Sequence, residues 1–181
     1  MRGLIWLIGA ASAMALLVGC AMNGTERSQG PEAAGPAGRL LLDYASGTTG
    51  RAHCTVVDDP FGGSGKVIFG EVVEKGYNKT SFFNRNGFFV VPPEHRGEVV
   101  LRYAVRKTRQ MRVALVSESG NLRSYYFEAS GLGAWQEAVL PLGRLAGKVL
   151  PGEKIVDISI WQQGGGTEGG LWVDRAVFRA T

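Results

Sequence analysis

Much of the chain alternates oily and polar residues in steps of two. In "VVLRYAVR", Leu101, Tyr103 and Val105 alternate with Arg102, Ala104 and Arg106. In "QMRVALVSE", Met111, Val113 and Leu115 alternate with Arg112 and Ala114; in "KIVDISIWQ", Val156, Ile158 and Ile160 alternate with Asp157, Ser159 and Trp161. A period of two sends one set of side chains into a core and leaves the other in water, as in an antiparallel sheet with one wet face. From Arg39 onward, apolar segments of strand length recur, among them "RLLLDYA", "HCTVVD", "KVIFGEVVE", "TSFFNR", "LRSYYFEA", "AWQEAVLPL" and "LWVDRAVFR". The separators, such as "DDPFGGSG", "PPEHRG", "LPGE" and "GGGTEGG", carry the Gly, Pro and Asn residues that end strands. Only "PLGRLAGKVL" has room for a helical turn or two. The pattern predicts an all-β domain over residues 39–181, a sandwich or barrel.

The first twenty residues follow a different rule. Arg2 is followed by a run without charge over residues 4–18, and the run ends at Leu17-Val18-Gly19-Cys20. A basic start, an apolar core and small residues before a cut have the layout of a secretory signal. A spanning helix would need about 20 apolar residues, and a polar, Gly-rich stretch intervenes first. The segment resembles the bacterial lipoprotein signal, with Leu17-Val18-Gly19-Cys20 matching its lipobox at every position. That resemblance implies cleavage after residue 19, acylation of the Cys20 thiol and of the new amino terminus, and a lipid-anchored place in the bacterial cell envelope. Each buried methylene contributes about 0.8 kcal/mol, so several chains at one residue suffice for stable anchoring. Ala21, rather than Asp, follows the cysteine; in a Gram-negative host this resembles the pattern for the outer membrane. Residues 20–38 hold no aromatic residue and cannot build a core. They read as a tether spanning on the order of 20–25 Å.

Charge changes the picture little. The 181 residues carry a formal net charge of +4, and the basic residues are scattered. An exported, lipid-anchored chain does not meet nucleic acid, so the excess reads as solubility with some affinity for acidic polymers. Lipidation of Cys20 would leave Cys54 without a partner, as a buried structural thiol. The two histidines, His53 and His95, lack the spacing of a metal motif, and "GGSG" lacks the Lys of a phosphate loop. Neither a nucleophile with a base nor a distinct carboxylate pair stands out, so the domain is read as non-catalytic.

The C-terminal half carries a further resemblance. Its motifs are "W-x-x-x-x-L-P-L" from Trp135 to Leu142, the "IVDISIW" strand, and "L-W-V-D-x-x-x-F" from Leu171 to Phe178. Together they resemble the galactose-binding-like jelly rolls, which include many carbohydrate-binding modules. The resemblance implies a two-sheet antiparallel β-sandwich of jelly-roll type. It also implies a structural calcium ion near Asp43 and Asp174, of the hard-oxygen kind, although Tyr44-Ala45 and Arg175 stand where a second acid is common.

Two readings of the wet face remain open. If Arg102, Arg112, Asp157, Ser159 and Trp161 share one sheet, with Gln163 extending the set, a concave surface of guanidinium, carboxylate, hydroxyl and indole would suit a sugar. Alternatively these are solvated cross-strand pairs, and the sandwich docks another envelope protein as a structural or assembly lipoprotein. Trp135 is expected in the core. Trp172 belongs either to the core of the other layer or to a surface plate. The aromatics of "SYYFEA" and "SFFNRNGFFVV" read as core and cross-strand pairs.

Overall fold

The alternating segments pair into two antiparallel sheets in the computed structural model, which describes residues 38–42, 49–73 and 76–181. In the first sheet, β7 (Glu98–Arg106) lies between β10 (Gln136–Pro141) and β12 (Gly170–Arg179). The far edge of β12 takes β4 (Lys66–Val73) at one end and β1 (Arg39–Leu40) at the other, and β3 (Cys54–Asp58) lies outside β4. In the second sheet, β11 (Lys154–Gln162) lies between β8 (Gln110–Ser117) and β5 (Tyr77–Phe83). Outside these are β9 (Leu122–Glu128) against β8 and β2 (Gly50–Ala52) against β5, while β6 (Phe89–Val90) pairs with the start of β11. One strand serves both sheets: β4 pairs with β12 and β3 through Gly70, then with β5 from Glu71. Gly70 marks the crossing because a Cβ there would lie 3.0 Å from the Lys79 carbonyl oxygen and 3.2 Å from a Leu171 methyl. A side chain at this corner would push the strands apart.

The core fills the gap between the sheets, and the alternation decides who enters it. Leu101, Tyr103 and Val105 face Met111, Val113 and Leu115, with Ile155, Ile158, Ile160, Leu171 and Val173 completing the layer. Each such side chain contributes about 1.5–3 kcal/mol by leaving water. Two irregularities reset the alternation. Pairing shifts between Ile155 and Asp157, so Val156 is bulged and Ile155 takes the inward place expected for Val156. A second shift between Val173 and Arg175 lets both Val173 and Ala176 face inward. A bulge adds one residue and flips the faces beyond it.

Polar groups also hold the layers together. Gln162 is fully buried; its Nε2 donates to the carbonyls of Arg106 and Thr108, and its Oε1 accepts from the Gly170 amide at 3.2 Å. Tyr125 reaches across from the second sheet to donate to the Pro141 carbonyl of the first at 3.1 Å. Beyond β10, Leu142 and Leu145 of a short 3-10 segment and Val149 close one end of the core. Cys54 is half-buried against the core. Cys20 and Asp43 lie outside the described residues.

Ile160→Ala should cost about 2–5 kcal/mol in urea unfolding, because the cavity cannot collapse between two sheets. Ser159→Ala, one residue away on the other face, should cost about 1–2 kcal/mol, through the bonds to Ser81 and Asp157 that it loses. Burial pushes the Tyr103 and Tyr125 hydroxyls up to about 12. Both are held neutral in the folded state, so their contribution to stability is complete below pH 10, the ordinary tyrosine value, and declines as pH rises toward about 12. Tyrosinate absorbance should show these two rings ionising after ordinary tyrosines, with the lag lost in denaturant.

Candidate functional site: a trough across the second sheet

The outward face of the second sheet is organised by register into three rows that run across the strands. The central row, from β2 to β9, reads Ala52, Ser81, Ser159, Ala114, Ser124. Every member is small. One flanking row reads Lys79, Trp161, Arg112, Tyr126, with Glu71 of β4 opposite Lys79 at its end. The other reads Gly50, Phe83, Asp157, Val116, Leu122. Small residues between two rows of larger ones make a narrow trough, whose floor is buried at Ala114 and all but buried at Ser81 and Ser159. At about 4.8 Å per strand it is about 20 Å long, and its walls stand about 13 Å apart, four residues along a strand.

The floor is hydroxylated and ordered. Ser81 and Ser159 share a hydrogen bond of 2.8 Å between their Oγ atoms, and the Ser159 hydroxyl also lies 2.8 Å from Asp157 Oδ1. Asp157 therefore orients the pair from the second wall. Arg112 donates from Nε to the Ser124 hydroxyl at 3.0 Å, which fixes its guanidinium plane. On the first wall, Lys79 Nζ lies 5.0 Å and the Arg112 guanidinium 4.6 Å from the Trp161 ring centre. These two cations come from the strands on either side of β11, so the indole stands between them. Arg112 also lies 5.7 Å from the ring of Tyr126, which is 62% exposed. On the second wall, Phe83 is 44% exposed and lies over Gly50, where a Cβ would come within 2.0 Å of its ring. A shallow depression of about 370 Å³ bounded by Phe83, Asn84, Arg85, Glu118, Val156 and Asp157 adjoins this wall.

Of the residues singled out from the sequence, Trp161, Arg112, Asp157 and Ser159 come together here. Gln163 sits just past the end of β11, its amide donating to the Gln110 carbonyl at 2.9 Å. Arg102 does not join them. It belongs to β7 in the first sheet, where its guanidinium pairs with Asp174 at 3.2 Å and lies 5.4 Å from the Trp135 ring. The recurrence of arginine every three or four residues in "LRYAVRKTRQMR" conceals the change of sheet at the β7–β8 turn. Asp174, expected with Asp43 near a calcium ion, is ion-paired with Arg102; Asp43 lies outside the described residues, and among those described no three His, Cys, Asp or Glu side chains gather as metal ligands.

The sequence reading also missed residues. Lys79, Ser81 and Phe83 alternate with the inward Asn78, Thr80 and Phe82, but polar inward positions blurred the pattern. Tyr126 was legible from the alternation of "SYYFE", in which Tyr125 is buried and Tyr126 is not.

The opposite outer face, on the first sheet, is closed. Trp172 is 7% exposed there, packed with Val67 and Ala104 under Phe61, Phe69 and Trp135. Phe61, from the turn between β3 and β4, meets Trp135 and Trp172 edge-on at 5.4 and 5.3 Å. The Trp135 indole donates to Asp59 Oδ2 at 3.1 Å. Trp135 is thus half-buried in an outer cluster rather than in the main core. It shares its parity with Val139 and Pro141, which point outward, while Ala138 and Leu140 pack on the main core.

Several solved structures superpose on the chain. The family 11 carbohydrate-binding module of the cellulosomal cellulase Lic26A-Cel5E of Clostridium thermocellum is 12% identical, with a TM-score of 0.53 over 82% of this chain and 97% of that one. A variant of a family 29 carbohydrate-binding module complexed with mannohexaose is 13% identical, with a TM-score of 0.51 over 78% of this chain and 89% of that one. An exo-β-agarase is 10% identical, with a TM-score of 0.56 over 79% of this chain and 25% of that one. No protein-family model matches the sequence, and no curated protein does. The fold is the jelly-roll β-sandwich of carbohydrate-binding modules, as the sequence motifs implied.

Removing the clamp on Trp161 should register in stability and spectrum alike. Arg112→Ala should lower unfolding free energy by about 1 kcal/mol, through the lost ring contacts and the Ser124 bond, and should shift the Trp161 emission. Arg123→Ala on β9 should change stability by no more than about 0.5 kcal/mol.

Proposed function

We propose that this protein is a non-catalytic carbohydrate-binding lipoprotein of the cell envelope, holding a glycan in the trough across the second sheet. The observation that carries the reading is the floor of small, hydroxyl-bearing residues between two taller walls. A chain of sugar rings needs length without depth, fixed hydroxyl partners and apolar edges for its C–H faces. Ser124 supplies a hydroxyl at the end of the row, with the nearly buried Ser81 and Ser159 below the surface; Asp157 and Arg112 are the charged partners, and Tyr126 and Phe83 the exposed rings. The trough also bears on the competing reading, docking of an envelope protein. A protein partner would favour a flat, continuous apolar patch, whereas this face is notched and polar along its centre.

Lipid anchoring is a separate part of the proposal and rests on the sequence alone. Leu17-Val18-Gly19-Cys20 supports acylation at Cys20, with the tether after it holding the sandwich off the bilayer, at the outer membrane in a Gram-negative host.

Two measurements test these parts. Ala114→Phe fills the floor and should weaken binding of the full-length chain to a glycan panel at least about tenfold, with the melting temperature showing that the sandwich persists. Tyr126→Ala, at an exposed position, should weaken binding in the same direction without touching the core. Unchanged binding in both variants would place the site elsewhere. Cys20→Ser should move the chain from the membrane fraction to the soluble one and abolish labelling by a palmitate analogue; retention without label would contradict lipid anchoring.

A further inference from the structure

We infer that the glycan bound in the trough is acidic, with its carboxylate or sulfate groups held by Lys79 and Arg112; the inference rests on the carbohydrate reading above. Five basic side chains of the strands are ion-paired, and Lys79 and Arg112 are not among them. Arg102 pairs with Asp174 at 3.2 Å, Arg175 with Glu137 at 3.7 Å, Arg179 with Glu98 at 3.6 Å and Lys154 with Glu118 at 3.8 Å. Among the described residues, neither Lys79 nor Arg112 has an ion-pair partner. Glu71 sits directly opposite Lys79 in register, yet the lysine amine lies over the Trp161 ring instead. Both cations are half-buried against the sheet. A half-buried cation with open donors is a position where a charge-assisted hydrogen bond to an anion is strong.

The aromatic geometry points the same way. With Lys79 5.0 Å and Arg112 4.6 Å from its ring centre, on strands either side of β11, the Trp161 indole already packs against cations, which competes with its use as an open stacking plane for a neutral sugar. Its role here is to hold Lys79 and Arg112 at the rim of the floor. Arg112 spends its Nε–H on Ser124, which leaves the other four N–H groups of its guanidinium for a ligand. On the other wall stands the Asp157 carboxylate, which accepts from the Ser159 hydroxyl. An anionic group would be repelled from that wall and drawn to the first, so the ligand's acidic groups should line one side of its chain.

The test uses polymers matched in backbone and differing in charge: polygalacturonate and its fully methyl-esterified form, and carrageenan and its desulfated form. Binding of the full-length chain is measured at low and at high salt. The inference expects at least one acidic member to bind about tenfold or more tightly than its neutral partner, with the difference shrinking as salt rises. Lys79→Gln and Arg112→Gln should each remove about tenfold of that affinity, the loss expected of one charge-assisted hydrogen bond. Lys66→Gln, on the first sheet, should leave it unchanged. Equal binding of acidic and neutral partners that is still lost in Ala114→Phe overturns the inference and spares the carbohydrate reading. Charge-selective binding that Lys66→Gln weakens as much as Arg112→Gln reports a general positive surface and overturns it as well. No binding to any polymer overturns both.

Discussion

Cross-strand register is the constraint on which the rest of this molecule depends. In an antiparallel sheet, directly paired residues lie on the same face, so the choice at one position on each of five strands composes a row. Ala52, Ser81, Ser159, Ala114 and Ser124 form such a row, and each is small. A slip of one residue in β5, β11 or β8 would send its small residue inward and raise Thr80 or Phe82, Ile158 or Ile160, or Val113 or Leu115 in the middle of the floor. The inward neighbours prevent this. Ile158 and Ile160, Phe82, and Val113 and Leu115 bury against the first sheet, and exposing them would cost several kcal/mol on each strand. The hydrophobic core thus sets the surface relief on the opposite side of the same strands. The bulge at Val156 belongs to this mechanism, since it lets Ile155 and Ile158 both face inward while Asp157 joins the wall.

The two outer faces show how one architecture can be open on one side and sealed on the other. Both carry tryptophan and arginine. On the first sheet the turn between β3 and β4 folds back, Phe61 wedges between Trp135 and Trp172, and Asp59 takes the Trp135 N–H. The result is a satellite core whose rings make their contacts within the protein. On the second sheet the floor itself is nearly closed, with Ala114 fully buried and Ser81 and Ser159 6% exposed, but among the described residues Lys79 and Arg112 on its wall have no ion-pair partner. On the first sheet the apolar strand residues Phe69 and Trp172 meet a turn that folds back over them, which the second sheet's row of Ser and Ala does not. Tryptophan and arginine, present on both faces, could not by themselves separate a ligand surface from a packed one.

The sequence made the sandwich legible because alternation survives at the central strands. Leu101, Tyr103 and Val105, and Met111, Val113 and Leu115, face inward as their spacing requires. Half of the site was legible for the same reason, since Asp157, Ser159 and Trp161 had to share a face. What was hidden is sheet membership. Arg102 and Arg112 both point outward, but from different sheets, and strand pairing over long sequence separations decides that. Polar inward residues hid more: Asn78 and Thr80 of β5 are fully buried, so the strand does not look half-apolar and its outward Lys79, Ser81 and Phe83 went unnoticed. Trp135 was misjudged because Val139 and Pro141 look like core residues; the parity was right, but the face assigned to it was not.

The central claim is that a carbohydrate lies across the strands of the second sheet. Amide chemical-shift mapping of the isotope-labelled chain, titrated with an oligosaccharide that binds it, tests this most directly. The account predicts perturbations running in a line through Ala52, Ser81, Ser159, Ala114 and Ser124, with little change on the first sheet. Perturbations gathered instead around Phe61, Trp135 and Trp172 would contradict it.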